Sequence, residues 1–175
     1  YEVVVTNPPY MSNNVMTNNI KKYIGQKYKE GKNDLFSAFV LRNSRLGNYN
    51  SYLGFMTPFV WMFISSYQDL RRYITDGMSI DSLIQMEYSA FEEATVPICT
   101  FILKNCNHID NGIYFRLTDF KGGMKVQEQK YLEALNENVN YKYLQNSKKF
   151  KDIEGCQIAY WISERMFNIF NIFSS

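Results

Sequence analysis

The chain has 175 residues, 46% apolar and 21% charged, which is the balance of one globular domain and not of a disordered tail. Nineteen Lys and Arg against seventeen Asp and Glu leave a net charge of +2, too even to advertise a nucleic-acid or membrane surface, though it does not exclude one. The longest apolar stretch, Phe55 to Ile64, is ten residues and contains Thr57 and Pro58, against the roughly twenty that a membrane-spanning helix needs. The opening residues do not read as a signal peptide. Cys99, Cys106 and Cys156 are odd in number and form no CxxC, which points to a reducing cytoplasm.

The first element is Val3-Val4-Val5-Thr6, a β-branched run that reads as a parallel strand buried on both faces. Such a strand needs neighbours reached by crossovers, so the chain reads as a piece of a longer protein that begins in mid-domain. Asn7-Pro8-Pro9-Tyr10 closes the strand, and a polar stretch from Met11 to Asn19 reads as a loop. A helix is expected from Ile20 to about Glu30. Asn33 or Asp34 then offers a cap to a second helix, with Leu35, Phe36, Phe39, Val40 and Leu46 at helical spacing. Tyr52 to Met56 reads as a strand stopped by Thr57-Pro58. Trp61 to Ile74 reads as a helix whose exposed face carries Gln68, Asp69, Arg71 and Arg72. Strands are expected at Ser79–Met86 and Val96–Leu103, with an acidic loop between them. Asn111-Gly112 signals a hairpin between Phe101-Ile102-Leu103 and Ile113-Tyr114-Phe115. A helix from Met124 to Leu135 follows, then a polar linker over 136–155, then an aromatic-rich helix from Ile158 to Phe173. This alternation is α/β, with a mixed sheet and a terminal hairpin. It divides into an α/β half over 1–120 that opens on the Asn7–Tyr10 loop, a connecting segment over 121–155, and a helical extension or the start of a second domain over 156–175.

The sharpest chemical feature is Asn7-Pro8-Pro9-Tyr10. In open α/β sheets ligands sit beyond the carboxyl ends of strands, where this loop lies. Asn7 precedes a proline and is held extended; Pro8 and Pro9 fix φ and remove two N–H donors. The result is a stiff loop that projects one carboxamide and ends in an aromatic plane. An –NH2 on a conjugated carbon is a poor nucleophile because its lone pair is delocalised. Two acceptors, the Asn7 side-chain oxygen and the Pro8 carbonyl, would draw that nitrogen toward sp3 and free the lone pair for an electrophilic methyl. Tyr10 could stack on the planar substrate.

The strand and its Asn-Pro-Pro-Tyr resemble the catalytic motif of amino-methyltransferases. The later landmarks resemble adenine-N6 DNA methyltransferases of the gamma motif order, a Rossmann-like fold using S-adenosylmethionine. Asp34-Leu35-Phe36-Ser37-Ala38-Phe39 resembles the helix after the catalytic loop, and the resemblance implies that Phe36 and Phe39 line the cofactor site. Leu53-Gly54-Phe55-Met56-Thr57-Pro58 resembles the next strand. Phe91, ahead of Val96-Pro97-Ile98-Cys99-Thr100-Phe101, resembles the aromatic that holds a flipped adenine of duplex DNA against Tyr10. Gly155-Cys156-Gln157-Ile158-Ala159-Tyr160-Trp161 resembles the entry to the recognition region of large phage-defence and fused restriction enzymes. The resemblance covers residues 1 to about 105, with the tail as a further match. The Gly-rich cofactor loop of that family has no counterpart here, so the segment alone is expected to be inactive, with the exposed strand 2–6 open to self-association. A protein-glutamine or RNA amino-methyltransferase, and a non-catalytic DNA-binding or scaffolding module, stay open as alternatives.

Other features point to structure before chemistry. Cys99, Cys106 and His108 lack a fourth zinc ligand, so no metal is expected. Gly122-Gly123 reads as a turn, Glu92-Glu93 as a solvated loop, and Lys148, Lys149 and Lys151 as a solvated charge run before a phosphate contact.

Overall fold

A computed structural model describes residues 1–88, 96–106 and 110–173. Among these residues six strands, β1 (Val3–Thr6), β2 (Tyr52–Pro58), β3 (Ser79–Gln85), β4 (Ile98–Lys104), β5 (Gly112–Arg116) and β6 (Lys142–Gln145), form one sheet in the order β1-β2-β4-β3-β5-β6. β1 and β2 are parallel, as are β3 and β5, while β4 runs antiparallel between β2 and β3. β6 closes the far edge antiparallel to β5. Among the described residues, five α-helices accompany the sheet: α1 (Asn18–Lys27), α2 (Leu35–Leu46), α3 (Gln68–Gly77), α4 (Gly123–Asn136) and α5 (Glu164–Phe173).

Strand alternation decides the two faces. Val4, Leu53, Phe55, Cys99, Phe101, Leu103, Ile80, Leu83 and Tyr114 turn inward to one core with Phe36, Val40 and Leu41 of α2 and Leu70 and Ile74 of α3. Burying each large side chain of this set contributes roughly 1.5–3 kcal/mol. On the opposite face α4 covers only the β3–β5 end, where Phe115 and Leu117 pack with Ala134, Tyr131 and Ile84. The residues in register across the rest of that face are Val3, Val5, Tyr52, Gly54, Met56, Ile102 and Thr100. β1 is therefore an edge strand with one outward apolar side: Val3 is 60% and Val5 76% exposed, while Val4 packs on the core. The expectation of burial on both faces fails because no helix lies over this end among the described residues.

Other expectations are corrected as well. Asn111-Gly112 does not turn a hairpin between β4 and β5, because both flank β3 on opposite sides. Gly112 serves a close approach: a Cβ there would stand 2.1 Å from the Ile80 carbonyl oxygen, at the register shift between Ile80 and Ser82. The stretch read as a linker carries β6 and a 3-10 helical run over Ser147–Asp152, with Phe150 and Ile153 in the main core. The helix expected from Trp61 forms as short 3-10 turns over Phe59–Met62 and Ser65–Tyr67, and α3 begins only at Gln68. The last helix likewise begins at Glu164, after Ile158, Ala159 and Tyr160 have entered the core in irregular backbone.

Arg71, expected on the outer face of α3, is fully buried. Its Nε donates to the Gly155 carbonyl at 2.9 Å, and its Nη1 to those of Trp61 and Ile64 at 2.7 Å. Burial depresses its pKa. A guanidinium in this place works as a fork for main-chain carbonyls, tying the turns before α3 to the segment that follows the Ser147–Asp152 run.

Candidate active site

The parallel strands β1 and β2 run side by side, and β1 ends at Thr6 opposite Phe55 while β2 continues to Pro58. The chain leaves β1 directly into Asn7-Pro8-Pro9-Tyr10, so the loop stands at the carboxyl edge of the sheet. Pro8 is buried and anchors the loop, whereas Asn7 and Pro9 are exposed and Tyr10 keeps 38% of its surface. The Tyr10 hydroxyl lies 3.3 Å from both the Asn7 Oδ1 and the Met56 carbonyl oxygen. Both distances are long for O–H···O bonds, so the one proton is shared weakly between two acceptors. Burial raises the Tyr10 pKa, with Cys99 adding to the shift, so the hydroxyl stays protonated and remains a donor. Asn7 also lines a groove of about 450 Å³ on the open sheet face, together with Val5, Met56, Thr100, Ile84 and Tyr131.

Phe36 and Phe39 do not share a wall. Phe36 is 1% exposed; it meets Tyr10 edge-on at 6.4 Å between ring centroids and stacks on Tyr67 at 5.7 Å. It underlies the Asn-Pro-Pro-Tyr loop, with almost none of its own surface open. Phe39, half-buried three residues later, lines an apolar groove of about 460 Å³ between α1 and α2, with Ile20, Tyr23, Tyr28, Leu35 and Arg42. That groove adjoins the loop, because the Leu35 N–H donates to the Met11 carbonyl at 2.9 Å. Its aromatic and aliphatic lining suits the planar base of a nucleoside.

Asp34 caps α2, as its place before the apolar run predicts, and does more. One oxygen, Oδ1, accepts from the Phe36 N–H at 3.2 Å and from the Met11 N–H at 3.0 Å, one residue beyond Tyr10. Burial pushes its pKa up and the main-chain donors pull it partly back. Burial, with the Asp34 charge beside it, raises the Tyr67 pKa to about 12. Tyr67 and the Met56 carbonyl escape a reading of the sequence, since nothing local to residues 56 or 67 announces a partner 46 or 31 positions away.

Phe91 and its Glu92-Glu93 neighbours lie outside the described residues, as does His108. Cys99 and Cys106 are buried, and burial raises the Cys99 pKa to about 12. Among the described residues no group of three His, Cys, Asp or Glu could hold a metal ion, and no helix is long and apolar enough to cross a membrane. Lys149 and Lys151 are paired with Glu164 and Asp76, and the Ser147 hydroxyl accepts from Ile80 near the start of β3, so this basic run lies at the end of the sheet away from Asn7.

A mixed sheet with an antiparallel strand wedged between parallel ones, and a proline-stiffened loop at a carboxyl edge, is a partial Rossmann-like methyltransferase fold. Consistent with that class, a type I restriction-modification methyltransferase subunit from Streptococcus thermophilus superposes with a TM-score of 0.63 at 14% identity, over 89% of this chain and 36% of that one. Residues 1–91 match the Eco57I restriction-modification methylase family, and the chain belongs to it. It is 33% identical over 170 residues to the adenine-specific methyltransferase PglX of Lacticaseibacillus casei (strain Zhang), across 94% of this chain. It is 28% identical over 138 residues to the type II restriction enzyme and methyltransferase RM.Eco57I of Escherichia coli, across 75% of this chain. The chain spans 14% of the length of each of these two relatives.

Proposed function

We propose that this segment carries the catalytic loop of an enzyme that methylates adenine N6 in double-stranded DNA, within a restriction-modification or phage-defence system. The reading rests above all on Asn7-Pro8-Pro9-Tyr10 at the carboxyl end of β1, with Asn7 exposed beside the half-open ring of Tyr10. The Asn7 Oδ1 and the Pro8 carbonyl accept the two hydrogens of the exocyclic amine, and the nitrogen becomes pyramidal as its lone pair turns toward the methyl group. These contacts matter most in the transition state. S-adenosylmethionine, when bound, supplies the electrophilic methyl; of the residues present, Phe39 and the groove it lines suit its adenine. Tyr10 stacks on one face of an adenine swung out of the duplex, and Phe91, by resemblance, on the other.

The resting geometry supports this assignment. Before substrate arrives, Asn7 Oδ1 is shared with the Tyr10 hydroxyl, which has the Met56 carbonyl as a second acceptor at the same distance. Asn7 can therefore turn to an amine without leaving the hydroxyl unpaired.

The finer parts of the reading concern residues 1–175 by themselves. Alone they are inactive, bind S-adenosylmethionine no better than roughly millimolar, and self-associate through the open edge of β1 at residues 2–6. The whole enzyme acts in the cytoplasm.

The test is to express the full-length protein and sequence host DNA for N6-methyladenine. Wild type is expected to mark a fixed site that an Asn7→Ala variant leaves unmarked while still binding DNA. Transfer by Asn7→Ala within about threefold of wild type, on the order of 0.6 kcal/mol, would overturn the role of Asn7.

A further inference from the structure

We propose that Asp34 is a positioning residue for this reaction: its carboxylate joins the backbone just past Tyr10 to the first turn of α2, and so sets where the Asn-Pro-Pro-Tyr loop stands over Phe36. The inference rests on the reading of that loop given above.

A helix cap needs only an N–H of its own helix. Asp34 has that bond, to Phe36, and the same Oδ1 also receives the Met11 N–H from 23 residues earlier. Asp34 is 7% exposed, so neither bond is readily replaced by water. Around it the two segments are laced together. Leu35 N–H donates to the Met11 carbonyl and Asn13 N–H to the Asn33 carbonyl, both at 2.9 Å, and the Asn13 side chain donates to the Lys32 carbonyl at 2.9 Å. The Asn33 side chain donates to the Ser66 carbonyl, holding the turn that carries Tyr67.

The consequence is geometric. Tyr10 packs on Phe36, Phe36 on Tyr67, and the backbone on either side of this stack is referenced to residues 33–35. Asp34 touches neither base nor amine. It acts through Tyr10 and Asn7 by fixing the height and tilt of their loop, in a reaction where a displacement of about 1 Å costs about a hundredfold in rate.

Two substitutions separate this role from simple capping. Asp34→Ser keeps a good helix cap but is one bond too short to hold both N–H groups. Asp34→Asn keeps an acceptor oxygen at the original reach and loses only the charge. In the full-length protein, Asp34→Ser is expected to melt near the wild-type temperature and to bind S-adenosylmethionine and target DNA within about threefold, while single-turnover methyl transfer falls about thirtyfold or more. Asp34→Asn is expected to restore transfer to within about fivefold of wild type. Transfer by a folded Asp34→Ser within threefold of wild type overturns the proposal. So does an Asp34→Asn variant as slow as Asp34→Ser, since reach would then not be what matters. If wild type itself marks no adenine, the reading of the loop has failed. If wild type marks adenine and Asp34→Ser matches it, only the role of Asp34 has.

Discussion

Tyr10 carries two separable contributions, a ring that rests on Phe36 and a hydroxyl between Asn7 and Met56. Tyr10→Phe keeps the ring and loses one weakly shared hydrogen bond, on the order of 0.5–1.5 kcal/mol, so single-turnover transfer should fall by about threefold to tenfold. Tyr10→Ala removes the stacking face as well and should cost at least tenfold more. Equal losses in the two variants would mean that the hydroxyl, not the ring, is the working part. Asp34 makes a prediction about pH. Its carboxyl pKa is raised by burial, so between its ordinary and its raised value the folded chain holds a proton that the unfolded chain has lost. Stability therefore drops as pH rises through that window, and the penalty is complete above it. Melting temperatures of wild type and Asp34→Asn should diverge in favour of Asn from acid to neutral pH; a constant gap would show that the raised pKa is not felt in folding. Asn7, Pro8, Pro9 and Tyr10 were legible in sequence because the motif is contiguous and follows a strand. The double duty of Asp34 was not, because a cap to Phe36 accounts for its position and the second donor comes from a loop 23 residues back.

Among the elements, β1 and the Arg71 fork lend themselves to direct tests. The Val3-Val4-Val5 run reads readily as a strand, but its two sides are not equivalent: only Val4 meets a core. Val5→Lys places a charge on the outward side opposite Gly54, which leaves the parallel pairing with β2 intact. If residues 1–175 associate through this edge, light scattering should report monomers for the variant where wild type forms larger species; identical sizes would assign the contact elsewhere. Arg71→Leu takes the fork away from the carbonyls of Trp61, Ile64 and Gly155; it strips the buried Trp61 carbonyl of the guanidinium, while the Ile64 carbonyl keeps the Tyr67 N–H at 3.1 Å. A loss of about 3 kcal/mol or more is expected in urea unfolding, whereas a loss under 1 kcal/mol would mean that water replaces the guanidinium. An arginine beside Gln68, Asp69 and Arg72 looks like part of a solvated face, because its acceptors are main-chain carbonyls that carry no residue-specific signal. β6 escaped for a related reason: Lys142 and Gln145 look like linker residues, and the strand exists because β5 offers it an edge. Gly112 shows the opposite error, a correct sense that glycine is needed joined to the wrong cause.

At the scale of the whole molecule, the position of β4 has a consequence for how the chain is made. β2 and β3 precede it in sequence but are not neighbours, and each is bonded to β4, which lies between them. Neither strand can find that partner until Lys104 has left the ribosome, 46 residues after Pro58. At roughly 5–20 residues per second the apolar edge of β2 waits on the order of seconds during each round of synthesis. Through that interval the nascent sheet is held back by translation speed, and the long-range pairing that follows is of the slow kind. Chaperone occupancy on this segment should accordingly peak while residues 59–104 are emerging, and codon changes that slow elongation there should lower the yield of folded protein with no amino acid altered.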